Sequence, residues 1–230
     1  MKRPSIPGVI IMKIGVLGTG IVGNTIASKL VQLGHEVKMG SRTVNNPKAT
    51  EWVSANGSRA SKGTFSDAAT FGEIIFNCTA GSASLEALNL AGKENFKGKV
   101  LIDLSNPLDF SHGMPPTFTV CNTDSVGEQI QRAFPDTKVV KALNTVNCNV
   151  MVNPSLVYGD HDILVSGNDA NAKAKVNEIL TKWFGWKSVV DLGDISAARG
   201  MEMYVALWIR LLGVYQNPNF NIKIAKWNET

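Results

Sequence analysis

The sequence predicts an α/β protein: a Rossmann-type, doubly wound and mainly parallel sheet with a C-terminal extension and a terminal helix. Three observations carry this expectation. Seven short apolar runs alternate with longer segments of helical periodicity. The runs lack strict in-and-out alternation, as strands covered on both faces do. A glycine-rich turn joins the first run to the first helical segment.

KIGVLG (13–18) supplies the first strand, Met12 to Leu17, with residues 1–11 as a short extension before it. Ile21 to Leu33 carries apolar residues at helical spacing (Ile21, Ile26, Leu30, Leu33) and stops at Gly34. EVKMG (36–40) is the second strand, and Pro47 opens a helix that runs to about Ala55 before Asn56 and Gly57 end it. EIIFNC (73–78) and KVLIDL (99–104) are strands flanking a helix over Ser84 to Ala91. Asp124 is expected to cap a helix through Arg132, with Glu128 near its first turn. KVVKAL (138–143), DILVSG (162–167) and SVVDLG (188–193) complete the strands, with a helix over Ala170 to Phe184 between the last two. Ile195 to Leu212 forms the terminal helix, with Met201, Val205, Trp208 and Leu212 on one face. The division expected is 1–155 as a dinucleotide-binding domain and 156–230 as an extension of its sheet, packed as part of the same domain.

A chain of 230 residues with 44% hydrophobic and 18% charged content can bury one sizeable core without disulfides. Cys78, Cys121 and Cys148 show no paired or metal-binding spacing, which predicts free, buried thiols and a reducing, cytoplasmic setting. The formal charge of +4 comes from scattered residues and argues against nucleic acid. No run of 18 apolar residues predicts a membrane span.

Gly18-Thr19-Gly20-Ile21-Val22-Gly23 follows a strand and opens a helix, the context in which a GxGxxG pattern cradles a pyrophosphate. Gly18 would make the tight turn, Gly20 would admit the phosphates, and Gly23 would let the helix pack closely. Amides at the helix start favour anions there. At the end of the second strand, an acid would accept from the ribose hydroxyls of NAD. This chain has Gly40, Ser41 and Arg42 instead. Space, a hydroxyl and a forked cation suit a 2'-phosphate, so NADP is expected, with Lys48 as a more distant cation. Thr79 and Ala80, at the turn after the third apolar run, are expected beside the cofactor.

No metal cluster or nucleophile elbow is present. Hydride transfer between two rings needs chiefly that they be stacked, because the redox chemistry belongs to the rings. A dehydrogenase or imine reductase would instead need a proton-transferring side chain. Lys141 is the leading candidate for that role or else an ordinary charge near the surface, with His112 behind it. A third reading has no chemistry: an NADPH sensor or an electron-transfer module. Met201, Tyr204, Val205 and Trp208 serve either the core or a homodimer interface.

GVLGTGIVG (15–23), GHEVKMGSR (34–42), DLSNP (103–107), VVKALNTV (139–146) and DLGDISAARGME (191–202) together resemble the NADPH-dependent reductases of the deazaflavin coenzyme F420. That fold is also used by the oxidoreductase domain of transmembrane ferric reductases. The resemblance implies that Thr19, Gly20, Ile21 and Val22 meet the dinucleotide phosphates and that Ser41 and Arg42 meet the 2'-phosphate. It also implies that Thr79 and Ala80 run along the cofactor, with Ala142, Leu143 and Asn144 near the nicotinamide. Hydride would pass to coenzyme F420, or to a flavin-like ring, without a dedicated acid or base. Asn106-Pro107-Leu108 and Asn217 to Ile222 are candidates to line the acceptor pocket.

Overall fold

The computed structural model describes residues 11–227. The extension expected over residues 1–11 lies outside them, apart from Ile11. The first half alternates strand and helix: β1 (Lys13–Leu17), α1 (Ile21–Gln32), β2 (Glu36–Ser41), α2 (Pro47–Asn56), β3 (Ala60–Thr64), α3 (Phe65–Phe71), β4 (Ile74–Asn77) and α4 (Gly81–Ala91). After β5 (Val100–Asp103), a small antiparallel hairpin of β6 (Leu108–Asp109) and β7 (Thr117–Phe118) leads to α5 (Val126–Ala133), β8 (Lys138–Ala142) and α6 (Cys148–Val152). The chain finishes through β9 (Ile163–Gly167), α7 (Ala170–Glu178), β10 (Val189–Asp191) and α8 (Ala198–Tyr215).

Eight strands form one sheet in the order β10-β9-β8-β5-β4-β1-β2-β3. Every neighbouring pair is parallel except β8 with β9. From β1 the chain winds outward to β2 and β3, then returns to build β4, β5 and β8 on the other side. The carboxyl ends of β1 and β4 therefore diverge at a crevice, where open α/β sheets receive ligands. Apolar clusters cover both faces of the sheet, one including Ile26, Trp52 and Phe184, the other Phe65, Leu88 and Ile130.

β3 and α3 are absent from the expected elements. The β3 segment, ASKGT, has no apolar run, and its pairing with β2 holds it instead. α3 was legible through its start: Thr64 accepts from the Asp67 amide while Asp67 accepts from the Thr64 amide, a reciprocal cap. This helix also changes the role of Gly40. A Cβ there would stand 2.8 Å from the Ala68 Cβ, so its small size admits α3 rather than a phosphate.

Ser125, not Asp124, caps α5: its hydroxyl accepts from the Glu128 amide and donates to the Glu128 carboxylate. Asp124 is engaged by Arg132 at 2.7 Å. The three thiols are unpaired, but Cys121 is exposed and Cys78 only half-buried, against the expectation that all are buried. Met201 and Val205 are buried within the chain, so α8 turns Met203, Leu207 and Val214 outward instead.

Candidate functional site

The glycine turn between β1 and α1 is built by two contacts. Gly18 has a φ of +114°, and its amide donates to the Gly40 carbonyl at 3.0 Å, tying the turn to the end of β2. A Cβ on Gly23 would lie 2.1 Å from the Gly18 carbonyl oxygen, so α1 can start here only if that position is bare. Gly20 differs: a Cβ there would meet nothing within 4 Å. No side chain caps α1, and the first-turn amides, including those of Ile21 and Val22, have no intrahelical acceptor. Open space beside unpaired donors at a helix start fits a pyrophosphate.

At the end of β2, Ser41 is buried and its hydroxyl donates to the Thr43 carbonyl at 2.6 Å, leaving its lone pairs free. Arg42 is exposed and reaches Glu86 on α4 at 3.1 Å. Lys48 is exposed in the first turn of α2. A cation that sequence reasoning missed joins this neighbourhood: Lys62 of β3 donates to the Val44 carbonyl at 3.0 Å, in the loop that follows Arg42. Only the unrecognised strand β3 could have revealed it.

Thr79 and Ala80 follow β4. The Thr79 hydroxyl lies 2.6 Å from Asn77 Oδ1, and Asn77 donates to Asp103 at 2.8 Å. Gly81 fits directly against the next strand end, because a Cβ there would stand 2.2 Å from the Asn106 carbonyl oxygen. These strand ends enclose a cavity of about 420 Å³ bounded by Val22, Thr79, Ala80, Ser105, Asn106 and Phe110.

A second cavity, about 310 Å³, shares Asn106, Leu108 and Phe110 with the first and is closed by Val205, Trp208 and Leu212 of α8. Of Ala142, Leu143 and Asn144, the first two pack in the core, and Asn144 lines this second cavity. Leu143 has a φ of +65°, a left-handed turn that is costly for a branched residue and reverses the chain at the end of β8. Asn144 is locked: its amide donates to Asn106 Oδ1 at 2.9 Å and to the Met201 carbonyl at 3.1 Å. Its Oδ1 is buried without a hydrogen-bond partner. Asn106 and Leu108 line this cavity, whereas none of Asn217 to Ile222 does, and Phe220 stands behind Trp208 instead.

Lys141 is neither a surface charge nor a free base. It is fully buried, 2.8 Å from Asp103 and 2.8 Å from Glu202, and it also donates to the Ser105 carbonyl. Burial alone would lower its pKa, but the two carboxylates outweigh that and raise it. His112 is exposed and lines neither cavity. The titratable side chains on the two cavity walls are Cys78 and Asp109. Burial, with the Asp103 charge, pushes the Cys78 thiol up, and hydrogen bonds from Ser111 hold Asp109 below the usual carboxylate range. Neither exchanges a proton readily near neutrality. No group of metal-ligating side chains occurs among the described residues, and no helix among them is long and apolar enough to cross a membrane.

Known proteins resemble this chain in sequence and fold. The family model described as NADP oxidoreductase, coenzyme F420-dependent, matches residues 13–107, from β1 to the loop after β5. An F420-dependent NADP reductase of Methanocaldococcus jannaschii is 30% identical over 93% of this chain and 98% of its own length. A crystal structure of a proposed F420-dependent NADP reductase from Arthrobacter sp. FB24 superposes with a TM-score of 0.89 at 51% identity, over 94% of this chain and all of that one. The metalloreductase STEAP3 of Rattus norvegicus is 29% identical over 90% of this chain, which spans 38% of that protein. Because the Methanocaldococcus and Arthrobacter likenesses run through the glycine turn, the crevice and α8 alike, this chain belongs to the F420-dependent NADP reductase family of oxidoreductases.

Proposed function

We propose that this oxidoreductase transfers hydride between NADPH and a flat tricyclic acceptor, a deazaflavin such as coenzyme F420 or a flavin-like ring, in a cytoplasmic setting. The observation that carries the reading is the pair of adjoining cavities: the first, bordered by Val22, Thr79 and Ala80, begins beside the start of α1 and would take the nicotinamide side of the cofactor, and the second is mainly apolar and carries no titratable side chain. When bound, NADPH supplies the hydride from its nicotinamide carbon. The acceptor ring gains that hydride and one proton from water, so no protein acid or base is required.

The protein's part is to bind and align. The amides of Ile21 and Val22, with the space at Gly20, would hold the pyrophosphate. Arg42, Ser41 and Lys62, with Lys48 further out, would hold the 2'-phosphate. Thr79 and Ala80 would border the ribose, and Asn144, locked to Asn106 and the Met201 carbonyl, would border the neighbouring acceptor slot. Leu108, Val205 and Trp208 would exclude water from the acceptor face. The imine-reductase reading loses its base, because all three protons of the Lys141 ammonium are engaged. The test is spectrophotometric oxidation of NADPH with coenzyme F420, FMN and FAD in turn. Turnover with at least one ring is expected, and absence of turnover with all three would remove the acceptor assignment.

A further inference from the structure

The acceptor pocket has one wall that its own helix does not secure. Trp208 lines the cavity from α8, and its indole nitrogen is buried without a hydrogen-bond partner. No polar contact fixes the plane of that ring. A large side chain on a helix flank otherwise samples several rotamers and loses that freedom only when packed.

What packs it is the segment after the helix. Gln216 takes a left-handed conformation (φ +52°), its amide closing on the Leu212 carbonyl, and the chain turns back. Phe220 then stacks on Trp208 with centroids 5.2 Å apart and planes 20° from parallel, while Tyr215 meets Phe220 edge-on at 5.5 Å. Such offset and edge geometries are the favoured ones for aromatic pairs.

The segment is itself moored to the sheet. Buried Asp162, just before β9, accepts from the Ile224 amide at 2.6 Å and from the Ser188 hydroxyl at 2.5 Å. Its own amide donates to the Ile222 carbonyl at 3.0 Å, and its carbonyl accepts from Asn221 Nδ2 at 2.7 Å. Contacts at residues 221, 222 and 224 thus hold the chain immediately beyond Phe220 against the amino end of β9.

We propose that Phe220 is a positioning residue for the acceptor: the strap 216–224, moored at Asp162, presses Phe220 onto Trp208 and so fixes the width of the slot that takes the acceptor ring. This rests on the acceptor reading above and adds to it the determinant of ring affinity. Phe220 touches neither cavity, so its influence passes through Trp208.

The experiment compares wild type, Phe220→Ala and Phe220→Tyr for equilibrium binding of oxidised coenzyme F420, read by quenching of its own fluorescence, and for binding of NADPH. Urea midpoints establish that each variant is folded. Losing one aromatic stack should weaken F420 binding roughly three- to tenfold in Phe220→Ala, with NADPH affinity unchanged, and Phe220→Tyr should restore it. Unchanged F420 affinity in folded Phe220→Ala, equal losses for F420 and NADPH, or no rescue by tyrosine would overturn the positioning role alone. Wild-type protein that binds no F420 would overturn the F420 form of the acceptor reading together with this inference.

Discussion

Glu202 Oε1 on α8 lies 2.8 Å from Lys141 Nζ at the end of β8, and both are buried. The same carboxylate accepts from the Val126 and Gly127 amides at 2.9 and 3.0 Å, so one side chain ties the terminal helix both to the sheet and to the start of α5. Lys141 in turn holds Asp103 beneath the crevice. Two carboxylates exceed one ammonium, and the N-terminal dipole of α5 offsets part of the excess.

Lys141→Met should therefore destabilise the fold by about 3–5 kcal/mol, the cost of leaving a buried charge pair without one partner. Because the folded pKa of Lys141 is raised, its contribution is complete below the unfolded value and is lost only as pH rises through the folded one. The deficit should thus be constant from neutrality to mildly alkaline pH. Urea unfolding of both proteins at pH 7 and 9 checks this, and an unchanged midpoint would show that the network does not hold α8.

The second and third glycines of the turn should separate stability from binding. Gly23→Ala places a Cβ 2.1 Å from a backbone carbonyl, so α1 must shift and the midpoint of unfolding should fall. Gly20→Ala meets open space at an ordinary φ of −74° and should fold like wild type while binding NADPH far less tightly. Urea melts beside NADPH titrations read both, and normal NADPH affinity in Gly20→Ala would mean that the phosphates lie elsewhere.

Much of this frame was legible because buried strands announce themselves as apolar runs and the glycine turn as spacing. β3 was not, since ASKGT is held by partners rather than by its own hydrophobicity, and with it went Lys62. The position of Lys141 at a strand end was readable. Its burial was not, because the neutralising groups come from residues 103 and 202, far apart in sequence. Gly40 was misread for the same reason: the neighbour that demands its small size sits on a helix 28 residues later.

On the proposed reading, in which Arg42 holds the 2'-phosphate, cofactor choice turns on an exposed pair. Arg42→Ala should weaken NADPH roughly ten- to a hundredfold and NADH little, because a hydrogen bond to a charged group contributes about 1.5–3 kcal/mol. Glu86 competes for the same guanidinium, with both side chains more than half exposed. An exposed pair of this kind contributes at most about 1 kcal/mol, so Glu86→Gln should tighten NADPH binding by up to about fivefold at low salt and less at high salt. Titration of both variants with both dinucleotides checks this, and equal losses for NADPH and NADH in Arg42→Ala would assign that residue another role.

His35 should contribute to a loss of stability on the acid side. It is buried against Trp183 with ring centroids 4.2 Å apart, and its Nδ1 accepts from the Met12 amide at 3.3 Å. Burial, then the nearby charges of Arg59 and Lys175, lower its pKa. A base with a depressed folded pKa binds fewer protons folded than unfolded. Stability is therefore complete above the ordinary histidine value of about 6.5 and falls as pH drops towards the folded one, by up to about 1.4 kcal/mol per pH unit. His35→Gln keeps an acceptor for Met12 and removes the titration, so urea midpoints between pH 7 and 5 should fall less steeply in the variant than in wild type. Parallel curves would place the acid sensitivity in another group.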